Sequence, residues 1–198
     1  PGRSGERPAS NALSHGDRHY VHINSIINYG LLLWGNSTHI DKVLLLQKKA
    51  VRIITNSWYK DHCQPLFIKL GIMTITSLYV FQHLLYVNDN LNIFVGRSDV
   101  HSYLTRNRNT FDVPFARLSR TKGSFEIMSL RIANKMPSSI FLLSRKSFKK
   151  LISDWLVKHP FYNIDENFNC RLLFHSECFS FYLLTGSDTY VLGLYVGL

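Results

Sequence analysis

Between Tyr20 and Phe168 apolar residues recur mostly three and four positions apart, the spacing of helices that bury one face. Val21, Ile23, Ile26, Ile27, Leu31 and Trp34 predict one helix, which Gly35-Asn36 ends. The clearest pattern comes next. Ile40, Val43, Leu44, Gln47, Ala50, Val51 and Ile54 share a face of a helix that Ser37 or Thr38 is placed to cap and Thr55-Asn56 to terminate. Lys42, Lys49 and Arg52 fall on the opposite side, so this helix is expected to have a dry side and a positive side. Pro65 suits the first turn of a short helix to Leu70, and Gly71 supplies its left-handed stop. Leu78, Phe81, Leu84, Leu85 and Asn88 predict a helix begun by Thr76 or Ser77. Ser124 to Lys135 is helical in pattern and stops before Pro137. Ser144 caps the last helix, with Phe148, Leu151, Ile152 and Trp155 inward and Lys146, Lys149 and Lys150 outward.

The fold class that follows is all-α, an irregular bundle of about six helices whose dry faces make one core. Residues 1–18, rich in Gly, Pro, Ser and Arg, read as a flexible arm; 19–90 form one helical region; 91–168 combine a long basic loop with the C-terminal helices. Within that loop, 91–122, only Thr110 to Val113 reads as extended, and loops this long inside a domain usually carry function. Residues 169–198, nearly uncharged and without a clean period, read as an irregular tail.

Composition sharpens this picture at three points. The chain has 198 residues, and 45% are hydrophobic, which suffices for a core of ordinary size. Three cysteines, an odd number, do not make a disulfide scaffold and suit a reducing compartment. No apolar run approaches the roughly 18 residues of a membrane span, so no membrane partner is expected. The N-terminal stretch lacks both an apolar core and an initiating Met, which excludes a signal peptide there and suggests a fragment.

Charge points to the partner. The formal net charge is +10, and residues 37–168 hold 19 basic against 9 acidic residues. A surface of that sign concentrates polyanions, although a basic face also serves simply to keep a protein soluble. His101-Ser102-Tyr103-Leu104-Thr105-Arg106-Asn107-Arg108 joins a stackable ring, hydroxyls and two guanidinium groups, the mixture that grips phosphates and stacks on bases. The same arginines could instead fork onto backbone carbonyls to pin the loop.

Catalytic chemistry has little foothold. The acidic residues are scattered and include no Asp-Asp pair, which argues against a two-metal nucleotidyl-transfer site. There is no Gly-rich phosphate loop and no dinucleotide fingerprint. Cys170, His175 and Cys178, with His62 or Cys63, match no familiar zinc spacing. No catalytic residue, metal site or cofactor is therefore assigned to this chain.

The order of motifs carries a resemblance. Tyr29-Gly30-Leu31-Leu32-Leu33-Trp34-Gly35-Asn36, Leu46-Gln47-Lys48-Lys49-Ala50-Val51-Arg52-Ile53-Ile54, Pro65-Leu66-Phe67 with Leu70-Gly71-Ile72, His101-x-Tyr103-x-Thr105-Arg106, then Pro137 and Phe148-Lys149 follow one another. That succession resembles the C-terminal part of reverse transcriptases from jockey-type non-LTR retrotransposons, over roughly Tyr20 to Phe168. The family's aromatic-Asn-x-Leu-Pro run is altered here to Ala133-Asn134-Lys135-Met136-Pro137. The resemblance implies a polymerase thumb and the extension beyond it, part of a polyprotein that copies RNA into DNA. The family's palm motif and its endonuclease carboxylates are absent, so the chain is expected to be inactive as an enzyme alone, with the family's magnesium held by a palm elsewhere.

The expected partners are RNA, DNA or an RNA–DNA hybrid, together with the palm and fingers of the parent polyprotein, in the nucleus and cytoplasm. Nucleic acid would be held without sequence preference by Lys42, Lys48, Lys49, Arg52, His101, Tyr103, Arg106, Arg108, Lys146, Lys149 and Lys150. The rival expectation is a helical protein-interaction module, or an inactive transposon relic that binds no nucleic acid. A helix-turn-helix over 38–70 is weaker, because the second helix offers only Lys69 to read bases.

Overall fold

In the computed structural model, residues 25–100 and 108–169 are described, and they are all-α with no strand among them. After a helical turn at 25–28, the elements are α1 (Leu31–Trp34), α2 (Ile40–Ile54), α3 (Cys63–Leu70), α4 (Ile75–Asp89), α5 (Arg97–Val100), α6 (Ser119–Lys122) and α7 (Phe125–Ala133), then a 3-10 helix (Ser138–Leu142), α8 (Arg145–Lys158) and α9 (Ile164–Asn169).

Helix α4 is the axis of the bundle, and α1, α2, α7 and α8 pack around it. The periodicity assigns it a single dry face starting near Thr76, but Ile75 to Phe81, His83, Leu84 and Val87 are all buried. An enclosed helix has no wet face to make a period. Its cap is Thr74, whose Oγ1 accepts from Ser77 N–H at 3.1 Å. The same hydroxyl donates to the Phe161 carbonyl at 2.5 Å, and Thr76 Oγ1 donates to that of Tyr162 at 3.2 Å. At the other end, Arg145 donates to both oxygens of Asp89, at 2.6 and 2.7 Å. These two sets of contacts make α4 and α8 antiparallel.

The α8 reading holds for its cap and both faces: Ser144 Oγ accepts from Ser147 N–H, the four apolar residues are buried, and the three lysines are exposed, although the short α9 rather than α8 is the last helix described. Other boundaries move. The expected 21–34 helix breaks where described, because Gly30 is left-handed (φ 64°) before α1. No side chain caps α2, which starts from His39 rather than Ser37 or Thr38. The 91–122 loop contains the short α5 and α6, and its extended piece is real: Gly96 and Phe111 form an antiparallel bridge. Asn134 clamps that piece, accepting from Phe111 N–H at 2.8 Å and donating to Phe111 carbonyl at 2.9 Å.

Gln47 is the polar member of the dry face of α2 and is buried there. It donates to Met73 carbonyl and accepts from Ile75 N–H, each at 2.9 Å, so it pins the segment that leads into α4. Gln47→Leu keeps the apolar volume but orphans both backbone groups. It should cost about 2 kcal/mol, read as a lower urea midpoint at unchanged slope. An unchanged midpoint would mean that water satisfies those groups instead.

Candidate nucleic-acid interface

Helix α2 sets the geometry of the strongest basic site. Leu44, Gln47 and Val51 face inward, which leaves Lys48 and Arg52 on the flank toward α3 and the 55–62 connection. Arg52 does not stand clear with Lys42 and Lys49, as the helical spacing suggests. Its Nε and Nη2 donate to the Asp61 carbonyl at 3.2 and 3.0 Å, and the residue is half-buried. Asp61 in turn accepts from Trp58 N–H at 2.8 Å through its carboxylate, closing the 58–61 turn.

That turn brings Lys60 and His62 beside Lys48 and Arg52. Together with Asp61, Cys63, Gln64 and Tyr162 they line an open cleft of about 170 Å³. Lys48 Nζ lies 3.4 Å from the centroid of the Tyr162 ring, a cation–π contact that orders the lysine. Burial pushes the Tyr162 phenol up to about 12, helped by Cys63 and Glu166 and opposed by the positive charge of Arg52, so the ring stays uncharged in neutral solution. Beneath the cleft Val51, Cys63, Phe67 and Ile72 form a small apolar cluster that fixes its floor. Four basic side chains thus line the cleft with the Asp61 carboxylate, and Glu166 accepts from Tyr162 N–H at 2.8 Å beside it. The excess of cations suits such a site to an anion, and its other lining groups are the Asp61 carboxylate, the Gln64 amide, the Tyr162 phenol and the buried Cys63 thiol.

Trp58 and Tyr59 do not line the cleft; they precede Lys60 in the 58–61 turn and are 80% and 77% exposed. The expectation of a purely positive outer face on α2 is also incomplete. Leu45, Leu46 and Ile53 are exposed there among Lys42 and Lys49.

The remaining expected residues are elsewhere. Lys146, Lys149 and Lys150 occupy the start of α8, beside the Asp89 end of α4, whereas the cleft is at the Thr74 end. Antiparallel packing therefore separates the two sets by on the order of 20 Å. Arg108 is exposed in a turn, and His101, Tyr103 and Arg106 lie outside the described residues, as do Cys170, His175 and Cys178. Lys60, His62, Tyr162 and the two aromatics of the turn were not anticipated. The available signal was the run Trp58-Tyr59-Lys60-Asp61-His62, which puts two large aromatics at a turn.

Among the described residues no three of His, Cys, Asp or Glu gather as metal ligands. No single helix there is long and apolar enough to cross a membrane; α3 and α4 together have the length and composition, but they bend by 51° and most of α4 is core. No protein-family model, curated protein or solved structure matches the chain.

Proposed function

We propose that this chain is the thumb and C-terminal extension of a jockey-type retrotransposon reverse transcriptase, and that it holds template–primer nucleic acid through phosphate contacts. The observation that carries the proposal is the cleft: Lys48 and Arg52 of the Gln-Lys-x-Ala-x-Arg segment meet Lys60 and His62 in one concave basic surface. Support also comes from the motif residues, which occupy joints of the fold. Gly30 turns the chain, Gln47 pins α4, and Asn134 clamps the basic loop. The exposed Leu45, Leu46 and Ile53 suit contact with the palm that the parent polymerase would supply together with its magnesium. The same apolar stripe favours the rival, a protein-interaction module without nucleic-acid binding.

Binding of the 198-residue chain to a labelled RNA–DNA hybrid across a salt series separates the two. Affinity should fall steeply with salt as phosphate counterions are released. Lys48→Glu with Lys60→Glu should weaken binding about ten-fold or more and flatten the salt slope, with the helical circular dichroism unchanged. A salt-independent affinity, or one indifferent to the double reversal while Leu46→Ser disrupts a protein complex, would favour the interaction module.

A further inference from the structure

We infer that the 58–61 turn and the adjoining cleft form a site for unpaired nucleotides, with Trp58 and Tyr59 stacking on bases and Lys48, Arg52, Lys60 and His62 holding the phosphates between them. The inference rests on the nucleic-acid reading above and specifies its substrate class. Two aromatic rings on consecutive residues, which could each bury on the order of 150–250 Å², are instead largely exposed to solvent. They belong to a turn whose backbone is fixed by the Asp61 carboxylate and whose next side chain, Lys60, enters the cleft. Lys60 Nζ also lies 6.0 Å from the Tyr59 ring centroid, so charge and π-face are presented together.

A polymer that satisfies both features must alternate negative charge with flat unsaturated rings, as a single strand does. In a duplex the base faces are already stacked on each other and can offer nothing to Trp58 or Tyr59. A lipid surface also attracts exposed aromatics and lysines, but Lys48 and Arg52 are half-buried, Lys48 over the Tyr162 ring and Arg52 against the Asp61 carbonyl. A planar array of headgroups reaches them less readily than a flexible strand threading past the turn. Stacking explains the rings, and the half-buried cations select the strand.

The test uses the full chain with labelled oligo(dT), oligo(rU) and an RNA–DNA hybrid of equal length. Trp58→Ala with Tyr59→Ala should weaken single-strand binding about ten-fold or more and hybrid binding less than about two-fold, while Trp58→Phe should retain most of the single-strand affinity. In the wild type, oligo(dT) should quench tryptophan fluorescence, and the Trp58→Phe chain should lose that quenching. Hybrid binding that persists while the double substitution leaves single strands unaffected, or weakens both ligands equally, would overturn this site and leave the clamp reading standing. Absence of binding to any of the three overturns both. A fluorescence blue shift with phosphatidylserine vesicles, and no response to oligonucleotides, would reassign the turn to a membrane surface.

Discussion

Lowering the pH from neutral to about 4 should cost the fold about 3 kcal/mol through His83 alone, and His83→Phe should remove that dependence. His83 is fully buried in α4, edge-on to Tyr79 with ring centroids 4.2 Å apart and tilted over Phe125 at 5.3 Å. Its Nδ1 lies 2.7 Å from Ser129 Oγ, while that hydroxyl donates its only proton to the Phe125 carbonyl at 2.8 Å. With the hydroxyl donating to that carbonyl, the tautomer that completes the pair carries its proton on Nδ1 and donates to Ser129. Nε2, the acceptor in that tautomer, has no hydrogen-bond partner in this apolar pocket. Adding a second proton would bury a cation with no carboxylate to meet it, and burial drives the imidazole from its ordinary 6.5 down to about 4.

The sign follows from which state takes up protons first. Above pH 6.5 the ring is neutral in both folded and unfolded chains, and the stabilising contribution is complete. As pH falls from 6.5 toward 4 the unfolded chain binds a proton that the folded chain refuses, so stability drops by about 2 kcal/mol at pH 5 and about 3 near pH 4. Below that, the loss levels off. Asp89 acts in a lower window: the hydrogen bonds and charge of Arg145 hold its carboxyl below the usual range, so its contribution persists until the pH falls through that depressed value. Urea midpoints of wild type and His83→Phe, measured from pH 7 to 4, should diverge between the two. Parallel profiles would assign the acid sensitivity to other groups.

His83 also shows why parts of this fold were legible in the sequence and others were not. Helix α8 has one wet face and one dry face, and its cap, inward residues and outward lysines were all readable from spacing. Helix α4 has no such contrast, since neighbours surround it; polar residues such as Ser77 and His83 are buried there, Ser77 bonded to the Thr74 cap and His83 to Ser129 of α7, and periodicity does not encode such bonds. The site divides in the same way. Lys48 and Arg52 were visible as cations on a helix, but Arg52 turns back to the Asp61 carbonyl because the 58–61 turn places that oxygen within reach. Lys60, His62 and Tyr162 join only through a connection of eight residues, 55–62, and a contact across more than a hundred positions, from Lys48 to Tyr162. Short-range patterns carry no information about such meetings.

Gly35→Ala should destabilise the protein by about 3 kcal/mol, and more than Gly71→Ala, although Gly71 is the residue with unusual backbone angles. Gly35 closes α1 in an ordinary right-handed conformation (φ −65°, ψ −11°), so an added methyl strains no dihedral there. Its restriction is space. A Cβ at Gly35 would collide with Cδ2 of Tyr79, 2.8 Å from Cε2 of the same ring and 2.6 Å from the Leu31 carbonyl oxygen. Tyr79 cannot swing aside, because it is 1% exposed and held against His83 on the axial helix. The α1–α4 contact would have to open, with loss of the burial of Leu31. Gly71, at φ 66°, meets nothing within 4 Å, so alanine there costs only the left-handed backbone penalty of about 1 kcal/mol. Denaturant midpoints of the two variants should rank in that order. A double-mutant cycle with Tyr79→Leu should recover part of the Gly35→Ala loss, since a smaller residue clears the ring positions. If the two substitutions are simply additive, the Leu31 carbonyl rather than the ring sets the limit, and glycine at 35 is required by the closing turn of α1 itself.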